Sequence, residues 1–505
     1  MAVTLGPLDL VVVDSLETAL HTHFGWSRFR AGQRPVVEAV LSGRDALAVL
    51  PTGGGKSLCY QLPALIRGGL VVVISPLVAL MEDQVLQLRR RGIAAACLHA
   101  GLDPVRRQQA MAALRDESLR LLYLAPERLQ GEATQRLLET HAAEGRLVAL
   151  AVDEAHCISA WGHDFRPDYR RLGLIRRLCP GVPMLALSAT AAPRVRADIL
   201  RLLDLRSPLV QVSSARRENL RYAMQRRPRD PMPQVLEALE QSRGATLIYA
   251  RTRRSVEHWA ERLQGQSVEA TPYHAGLDPA TRQTALTQFL EQERPVLVAT
   301  VAFGMGVDRG DVGLVLHLDL PSTPEGYLQE SGRAGRDGQP ARCLVLFSPG
   351  DRTSLGWAMQ AAAGRGTTPD ERHRLDLAQQ QLRRMEAVAE GEMCREQALL
   401  LAVGELVDPC GRCDRCSASP KRKDWSRQAT TLLTHLDDFD GTDMRRLGEH
   451  LALHETGQGE RWTWLARRLV QEELIRESND GVQRLQLRDS GRRYLERPWP
   501  LDFAA

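Results

Sequence analysis

The segment 52–57, TGGGKS in sequence letters, has residue types and a spacing that can bind a phosphate chain. Only three of the 66 basic residues in the chain are lysines, and Lys56 in this segment is one of them. A lysine kept in so arginine-rich a chain indicates a site where a slim ammonium must reach between phosphates. The glycines before it would expose backbone N–H groups to anionic oxygens, and the hydroxyl after it could hold Mg²⁺. The residues expected to contact the phosphates and the ion are Thr52, Gly53, Gly54, Gly55, Lys56 and Ser57.

A glycine-rich turn without a ligand is the plainer interpretation of this segment, because Leu50 stands where the strict phosphate-loop pattern has a glycine. Two carboxylates further along favour the phosphate loop. Asp153 and Glu154 follow the apolar run 147–152, at the carboxyl end of a predicted strand. Asp153 could join Ser57 in the magnesium shell, and Glu154 could orient or deprotonate the attacking water. Alone, such a pair is usually a solvated strand end; with a phosphate loop it predicts nucleoside triphosphate hydrolysis.

A dense set of ring-bearing residues and an arginine comes directly after these carboxylates. Aromatic rings and a guanidinium packed into one loop can form a platform for unstacked bases. A loop anchored by buried aromatics is the alternative, and it explains one or two rings better than the whole set. The adjacency offers a way to couple contact with a nucleic-acid strand to hydrolysis. The set consists of Trp161, His163, Phe165 and Arg166.

A third set, Gln329, Arg333 and Arg336, lies between two apolar runs of the second half of the chain. An amide and two arginines at intervals of three or four can face a phosphate chain across a cleft. One arginine there would stabilise the charge on the transferred phosphoryl group. We expect Arg336 to be this finger and Arg333 its neighbour. Solvated surface arginines are the alternative in so arginine-rich a chain, but the flanking glycines and the preceding strand argue against it.

These groups need elements that hold them, and the apolar pattern predicts a suitable fold. Short apolar runs alternate with helical stretches, which is typical of a parallel sheet covered on both faces. The predicted strands are 45–50, 69–75, 119–124, 147–152, 184–188, 245–250, 294–299, 313–318 and 342–347. We therefore predict the α/β class.

An internal repeat divides this α/β region into two lobes. The sequence LHAGLDP at 98–104 recurs as YHAGLDP at 273–279, and the flanking helix and strand patterns match at the same offset. Chance similarity of one loop is the alternative, but it does not explain the matching flanks. We expect the boundary between the lobes in the arginine-rich stretch 226–233.

Four cysteines are grouped after the second lobe, at Cys394, Cys410, Cys413 and Cys416. Four thiolates at this spacing can form a tetrahedron around Zn²⁺. Redox thiols and an iron–sulfur cluster are the alternatives for three cysteines at intervals of three.

The motifs in this order resemble superfamily 2 helicases and, in detail, the RecQ family of DNA helicases. The strongest match is YLQESGRAGRDG at 327–338, and the aromatic loop 159–169 and the segments 75–84 and 299–308 are also similar to family motifs. The resemblance covers about residues 15–420 and, more weakly, 424–498. It implies two tandem RecA-like lobes, a structural zinc held by the four cysteines, and ATP, Mg²⁺ and Zn²⁺ as cofactors. It also implies that the protein moves 3′→5′ along single-stranded DNA and unwinds duplex or branched DNA in recombination and repair.

The same resemblance assigns adenine recognition to three residues near the N-terminus. Gln33 would hydrogen-bond the adenine edge, Trp26 would stack on the ring, and Arg30 would assist. The family more often has a tyrosine where Trp26 stands, and stacking should survive that change.

After a basic stretch, three helical segments and a hairpin turn at Asn479-Asp480-Gly481 predict a winged helix. Residues 424–498 hold 12 arginines and 14 acidic residues, so duplex binding there must use one face. The arginines concentrated in 461–497 make a basic face possible. Members of the family often append a further helical domain, HRDC, and we expect none here. The expected domains are lobe 1 at 1–230, lobe 2 at 231–350, the zinc-binding subdomain at 351–420 and the winged helix at 424–505.

Composition adds limits rather than a function. The net charge of +4 does not by itself indicate nucleic-acid binding. There is no apolar run of the roughly 18 residues that a membrane helix needs, and no leader pattern, so we expect a cytoplasmic, nucleoid-associated protein with no membrane partner. We expect a monomer whose partners are single-stranded and duplex DNA, with single-strand-binding protein as a further candidate. An RNA-directed helicase and a non-unwinding protein that uses ATP as a switch are the competing functions.

Overall fold

The computed structural model describes residues 13–162, 164–301, 303, 309–362, 368–418, 422–439, 441–452, 459–478 and 484–504. Within these residues, two parallel sheets are followed by a helical region with the cysteine cluster and by a small terminal unit. No helix in these described ranges combines the length and the apolar composition needed to cross a bilayer.

The first lobe is a seven-stranded parallel sheet in the order β3-β4-β2-β5-β6-β1-β7. Both faces are buried, because alternate residues of each central strand enter two separate apolar clusters. The strands are β1 Ala46–Val49, β2 Leu70–Ile74, β3 Ala95–Leu98, β4 Leu121–Leu124, β5 Leu147–Val152, β6 Met184–Ser188 and β7 Leu209–Val212. The helices are α1 Val13–Phe24, α2 Gln33–Leu41, α3 Leu58–Arg67, α4 Val78–Arg90, α5 Pro104–Arg115, α6 Glu132–Ala143, α7 Gly173–Leu178 and α8 Pro193–Leu202. Short 3₁₀ helices lie at Pro126–Gln130, Ala155–Ile158 and Pro167–Arg171.

The second lobe is a six-stranded parallel sheet in the order β10-β11-β9-β12-β13-β8. Its strands are β8 Leu220–Arg226, β9 Ala245–Tyr249, β10 Ala270–Tyr273, β11 Val296–Ala299, β12 Val312–His317 and β13 Ala341–Phe347. Its helices are α9 Met232–Glu240, α10 Arg253–Gln264, α11 Pro279–Glu291 and α12 Pro324–Ser331. Strand β8 pairs with β13 along its whole length, so the second sheet starts before the boundary expected at 230/231.

The repeated sequence occupies the same position in both sheets. Each copy links an edge strand to the next strand through one helix: β3, α5 and β4 in the first lobe, and β10, α11 and β11 in the second. Asp103 and Asp278 cap these helices by accepting a backbone N–H three residues ahead, at 2.9 and 3.0 Å. Buried His99 and His274 each lie against a glutamate of the preceding helix. The repeat is therefore a duplicated structural unit.

The helical region after the second lobe contains α13 Pro349–Ala362, α14 Pro369–Glu390, α15 Arg395–Ala402 and α16 Asp414–Ser417. The terminal unit contains β14 Arg422–Asp424, α17 Ser426–Asp438, α18 Met444–Ala452, α19 Gly459–Gln471, β15 Ile475–Glu477, β16 Leu485–Leu487, α20 Asp489–Glu496 and β17 Asp502–Ala504. Strands β15 and β16 pair antiparallel after three helices, and β14 pairs antiparallel with β17. The expected turn at Asn479, Asp480 and Gly481 lies outside the described residues.

Two arginines of α19 bind the preceding helical region and do not form an exposed basic face. Arg467 and Arg468 are both buried. Arg467 Nη1 lies 3.4 Å from Glu390 Oε1, and Arg468 Nη2 donates to Glu392 Oε1 at 2.8 Å. Burial raises the pKa of Glu390, and Arg467 opposes that rise. These two side chains therefore do not contribute to the basic face considered possible on 461–497, and their ion pairs hold the terminal unit against the C-terminal end of α14 and the segment after it.

Asp45, just before β1, fixes the start of the strand that leads into the phosphate loop. One carboxylate oxygen accepts from Met184 N at 2.8 Å, and the other accepts from Arg206 N at 2.6 Å and from the Arg176 guanidinium. Asp45 and Arg176 are both about 95% buried. One side chain thus ties β1 to β6 and to the segment before β7.

We expect Asp45→Ala to destabilise the first lobe by about 3–5 kcal/mol, because it leaves the buried Arg176 without its partner. Urea unfolding followed by tryptophan fluorescence should show a lower midpoint. The matched control is Asp204→Asn, which removes the charge of an exposed partner of Arg206, tolerates the left-handed backbone at this position and should change stability by less than about 1 kcal/mol. Equal midpoints for the two variants would contradict the role given to Asp45.

Candidate active site

The loop between β1 and α3 has the shape of a phosphate cradle. Gly53 and Gly55 adopt left-handed backbone angles, with φ of 79° and 73°. A Cβ on Gly55 would lie only 2.4 Å from Gln33 Nε2, so a larger residue there would displace the Gln33 amide and strain the left-handed backbone. Lys56 and Ser57 follow at the N-terminus of α3, where backbone N–H groups favour an anion.

Hydrogen bonds from Arg30, just before α2, and from Gln33, its first residue, hold the phosphate loop in place. Gln33 Nε2 donates to Gly54 O at 3.1 Å and to Gly55 O at 3.0 Å, and Gln33 Oε1 accepts from Arg30 N at 2.8 Å. The Arg30 guanidinium donates to Gly53 O. Two residues predicted to read adenine thus bond to the loop itself, and Gln33 is 2% exposed.

Trp26, predicted to stack on adenine, lies at the rim of the cavity beside the loop. It is 43% exposed, and its ring stacks on Phe24 with centroids 5.5 Å apart. The Arg91 guanidinium lies 5.9 Å from the same ring. Trp26 therefore offers a supported aromatic surface at the edge of the site.

The two carboxylates follow β5, as expected, and face the phosphate loop. Burial raises the pKa of Asp153 to about 7; Glu154 adds to the rise, and Lys56 opposes it. A buried pair of carboxylates beside a lysine fits a divalent cation, which would keep both ionised. Glu154 has a φ of 47°, a strained angle for a residue with a Cβ, and such strain often marks a functional position.

A buried histidine that the sequence analysis did not single out supports these carboxylates. His156 Nδ1 lies 3.3 Å from Glu154 Oε2 and 3.0 Å from Ser188 Oγ. Ser188 donates its only hydroxyl proton to Thr190 O at 2.6 Å, so it accepts from the histidine. Ser188 therefore connects the end of β6, through His156, to the carboxylate of Glu154. The sequence signal was the histidine two residues after Glu154.

The second lobe completes the site from the opposite wall. Gln329 Nε2 donates to Glu154 Oε1 at 3.4 Å, across the cleft. A Cβ on Gly53 would lie 3.3 Å from Arg336 Cγ, so this arginine lies along the phosphate loop. Arg333 is buried in the same wall. The cavity between the lobes is about 580 Å³. Among the predicted site residues, those that line it are Trp26, Arg30, Gln33, Thr52, Gly53, Gly55, Lys56, Ser57, Asp153, Glu154, Gln329, Arg333 and Arg336.

The aromatic loop lies beside the carboxylates but is already packed by cations. Arg194 covers one face of Trp161, with the guanidinium carbon 3.4 Å from the ring centroid, and the His373 ring meets Trp161 edge-on at 5.9 Å. Phe165 lies between the guanidinium groups of Arg170 and Arg374, at 5.0 and 5.9 Å. His373 and Arg374 belong to α14, so this loop contacts the helical region as well as its own lobe.

Arg166 anchors the end of the aromatic loop. Its guanidinium donates to Pro76 O at 2.8 Å and pairs with Asp164 at 3.0 Å, and its backbone N–H donates to Cys157 O at 2.9 Å. His163, predicted as the fourth member of the set, lies outside the described residues, as do Ala302 and Gly304–Asp308 of the segment 299–308.

The four clustered cysteines form a compact group with the dimensions of a metal site. Their four Sγ atoms lie within 4.8 Å of one another, and the Sγ atoms of Cys394 and Cys413 are 3.9 Å apart. A tetrahedral zinc with Zn–S bonds of about 2.3 Å places sulfurs about 3.8 Å apart. Backbone N–H groups of Cys410, Cys413 and Cys416 point at sulfurs of the group at 3.2–3.4 Å, which favours thiolates. The geometry fits the predicted structural zinc.

Three family models match consecutive parts of the chain. They describe a DEAD/DEAH box helicase at residues 30–199, a helicase conserved C-terminal domain at 230–338 and a RecQ zinc-binding region at 349–417. The last match supports zinc over an iron–sulfur cluster or redox thiols at the cysteines.

The chain is also similar in sequence to bacterial proteins of the same description. The chain is 38% identical to the ATP-dependent DNA helicase RecQ of Pasteurella multocida over 450 residues, which cover 89% of this chain and 67% of that protein. It is 40% identical to the RecQ of Haemophilus influenzae over 409 residues, 81% of this chain and 64% of that protein. The chain thus spans about two thirds of the length of these bacterial relatives.

Solved structures with the same fold include two helicases bound to a single strand. Helicase Lhr of Mycobacterium smegmatis, bound to single-stranded DNA and AMP-PNP, gives a TM-score of 0.55 at 18% identity, covering 95% of this chain and 61% of that one. DEAD-box helicase Mss116, bound to single-stranded RNA and UDP-BeF, gives 0.57 at 16% identity, covering 79% and 92%. At these identities the likeness concerns the fold alone.

We expect Cys413→Ser to reduce bound zinc from about one ion per chain to a small fraction, because Cys413 is the fully buried ligand. Metal analysis of the purified protein measures this, and calorimetry should show a lower melting temperature. The control is Cys97→Ser, a half-buried cysteine of β3 outside the cluster, which should keep its zinc. Full zinc occupancy in the Cys413→Ser protein would refute the four-thiolate site.

Proposed function

The chain belongs to the RecQ family of ATP-dependent DNA helicases, and from that premise we propose that it uses ATP hydrolysis to translocate on single-stranded DNA and to unwind duplex or branched DNA in recombination and repair. The observation that carries the proposal is the interlobe cavity beside the phosphate loop, to which both lobes contribute charged groups. Family membership alone does not assign the residues, so their roles follow from the geometry.

ATP supplies the phosphoanhydride bond and Mg²⁺ neutralises its oxygens; this chain provides the groups that hold and orient both. Lys56 and the N–H groups of residues 53–57 bind the phosphates, and Ser57 and Asp153 are the magnesium ligands. Glu154 orients the attacking water, and Gln329 keeps that carboxylate in place from the other lobe. Arg336, already lying along the loop, stabilises the charge of the transferred phosphoryl group.

Adenine recognition at this site involves an exchange of partners. Trp26 provides the stacking surface. For Gln33 to bind the adenine edge, its amide must release at least one of the carbonyls of Gly54 and Gly55. The phosphate loop would then change its support when nucleotide binds, so base recognition and phosphate binding would be linked.

Coupling to DNA follows from the short path between the carboxylates and the aromatic loop. One short 3₁₀ helix, Ala155–Ile158, separates Glu154 from the start of the aromatic loop. The backbone N–H of Arg166, near the end of that loop, donates to Cys157 O within the same helix. We propose that Trp161, Phe165 and Arg166, with His163, contact the strand. A base that stacks on the face of Trp161 now covered by Arg194 must displace that guanidinium.

The finer assignments are part of the same proposal. The three helices and the β15–β16 pair support a winged helix, and the burial of Arg467 and Arg468 leaves its other surfaces for duplex contact. Movement is 3′→5′, the working unit is a monomer, single-strand-binding protein is a partner, and the protein acts on nucleoid DNA in the cytoplasm.

Lys56→Ala should abolish DNA-stimulated ATP hydrolysis and strand displacement on a 3′-tailed duplex, with a loss of at least about 100-fold in kcat. The reason is that the variant removes the ammonium expected to bind the phosphates, at the N-terminus of α3. The matched control is Lys423→Ala, which changes an exposed lysine of β14 and should retain both activities. Wild-type turnover by Lys56→Ala would contradict the proposed mechanism. Stimulation of the wild-type ATPase by single-stranded RNA but not by single-stranded DNA would show that the substrate is RNA.

Replacing both Trp161 and Phe165 with alanine should leave the basal ATPase rate nearly unchanged but remove most of its stimulation by single-stranded DNA. The physical reason is that the variant lacks the two rings on which bases would stack, so binding of a strand would no longer affect the position of Glu154. Titration of ATPase rate against DNA concentration measures the effect. Normal stimulation in the double variant would show that the loop does not couple DNA to hydrolysis.

A further inference from the structure

The two lobes are joined by a short linker, residues 213–219, between β7 and β8. The region after the second lobe grips this linker at several points. Glu405 accepts from Ala215 N at 2.9 Å and from the Ser214 hydroxyl, and Glu396 forms an ion pair with Arg216 at an Nε–Oε1 distance of 2.8 Å. The linker therefore lies in a fixed path rather than hanging free between the sheets.

The side chain of Arg217 in this linker reaches both walls of the active site. Its guanidinium donates to Gly335 O at 2.6 Å and to Ala334 O at 3.2 Å, in the loop between Arg333 and Arg336. The other terminal nitrogen lies 3.5 Å from Thr52 O in the phosphate loop. One guanidinium thus spans the loop that carries the arginine finger and the loop that holds the phosphates.

A neighbouring linker residue restricts the same loop. Asn219 Nδ2 donates to Gly335 O and to Gln339 O, both at 2.8 Å. Gly335 has a φ of 54°, and a Cβ there would lie 2.4 Å from Asn219 Nδ2. The turn between Arg333 and Arg336 therefore packs directly against the linker, through Asn219.

Arg412, between the zinc ligands Cys410 and Cys413, holds the linker from behind. Its guanidinium donates to Leu220 O at 3.0 Å and to Arg217 O at 3.1 Å, and it also pairs with buried Glu396. Its backbone N–H donates to Cys410 Sγ at 3.4 Å, so its position depends on the cysteine cluster. Hydrogen bonds thus run from the cysteine cluster through Arg412 and Arg217 to the loop of Arg336.

We propose that Arg217 is a positioning residue for ATP hydrolysis and that Arg412 of the cysteine loop holds it in place. The inference rests on the proposed role of Arg336 in the ATPase. Arg217 does not touch the reacting atoms; it keeps the finger loop at a fixed distance from the phosphate loop. A displacement of about 1 Å at a catalytic group can cost on the order of 100-fold in rate, so loss of this brace lowers turnover rather than ATP binding.

The test compares Arg217→Gln, Arg412→Gln and the double variant with the full-length wild type. Measured for each are kcat and KM for ATP with saturating single-stranded DNA, zinc content, melting temperature, and DNA affinity. We expect Arg217→Gln to lower kcat about 10–100-fold with KM for ATP within about threefold. Arg412→Gln should lower kcat less while keeping its zinc, and the double variant should fall no further than Arg217→Gln.

Two further variants make the outcomes distinct. Arg415→Gln is the matched control, because Arg415 lies in the same cysteine loop but donates to Glu390 O at 3.3 Å; it should keep wild-type kcat. Arg336→Ala tests the proposed function itself. If Arg336→Ala keeps its kcat, the assigned finger is wrong; if it loses kcat while Arg217→Gln does not, only the positioning role is wrong.

A purely structural role for Arg412 would give a different pattern. If Arg412→Gln keeps its zinc and its melting temperature, a wild-type kcat in that variant, or effects of the two variants that add, would overturn the role given to Arg412. Should Arg412→Gln lose its zinc, Arg217→Gln decides alone, since it leaves the cysteine loop unchanged. A lowered kcat at constant KM in that variant supports the positioning role, and a wild-type kcat overturns it.

Discussion

The phosphate loop and the arginine loop are pressed together between the lobes, and the rest of the site depends on this contact. A Cβ on Gly332 would lie 3.0 Å from Thr52 Cβ, and Arg336 lies against Gly53. Neither lobe holds the complete set of charges that phosphoryl transfer needs. The parallel sheets account for part of the arrangement, because the polar side chains of each lobe lie at the carboxyl ends of its strands. The linker and the region after the second lobe then set how the two ends face each other.

The sequence pattern predicted the interior of both sheets and missed their edges. Every predicted apolar run corresponds to an interior strand, whereas the four strands not predicted, β3, β7, β8 and β10, are the two edges of each sheet. The physical reason is burial. An interior strand of a doubly covered sheet is apolar throughout, but β7 and β8 alternate between more and less exposed residues, and β10 contains a proline. Missing β8 also displaced the expected boundary of the second lobe.

Site residues divide in a similar way. That Lys56, Asp153, Glu154 and Arg336 line one cavity could be predicted from sequence, because phosphate chemistry requires those residue types close together. The role of Arg217 could not be predicted, because an arginine in a linker has no local sequence signal. The carbonyls to which it donates lie more than a hundred residues away along the chain. The positions of Gln33 and Trp161 were predicted, but not their present partners, because hydrogen bonds and ring contacts depend on packing rather than on spacing.

The uneven use of the two cations now has a physical basis. Many arginines here bridge several acceptors at once. Arg217 reaches backbone carbonyls of both lobes, and Arg412 joins the Arg217 carbonyl of the linker and the Leu220 carbonyl of β8 to a buried carboxylate. Arg395, 1% exposed, bonds Gly391 O and both oxygens of Asp414. A planar guanidinium with five donors can do this, whereas an ammonium on a flexible stem cannot fix two rigid acceptors in one plane. In the proposed function the phosphate loop makes the opposite demand, because a compact ammonium can reach between phosphates where a broad guanidinium would not fit. Base composition explains why arginine is common, and the proposed phosphate contact accounts for the lysine at position 56.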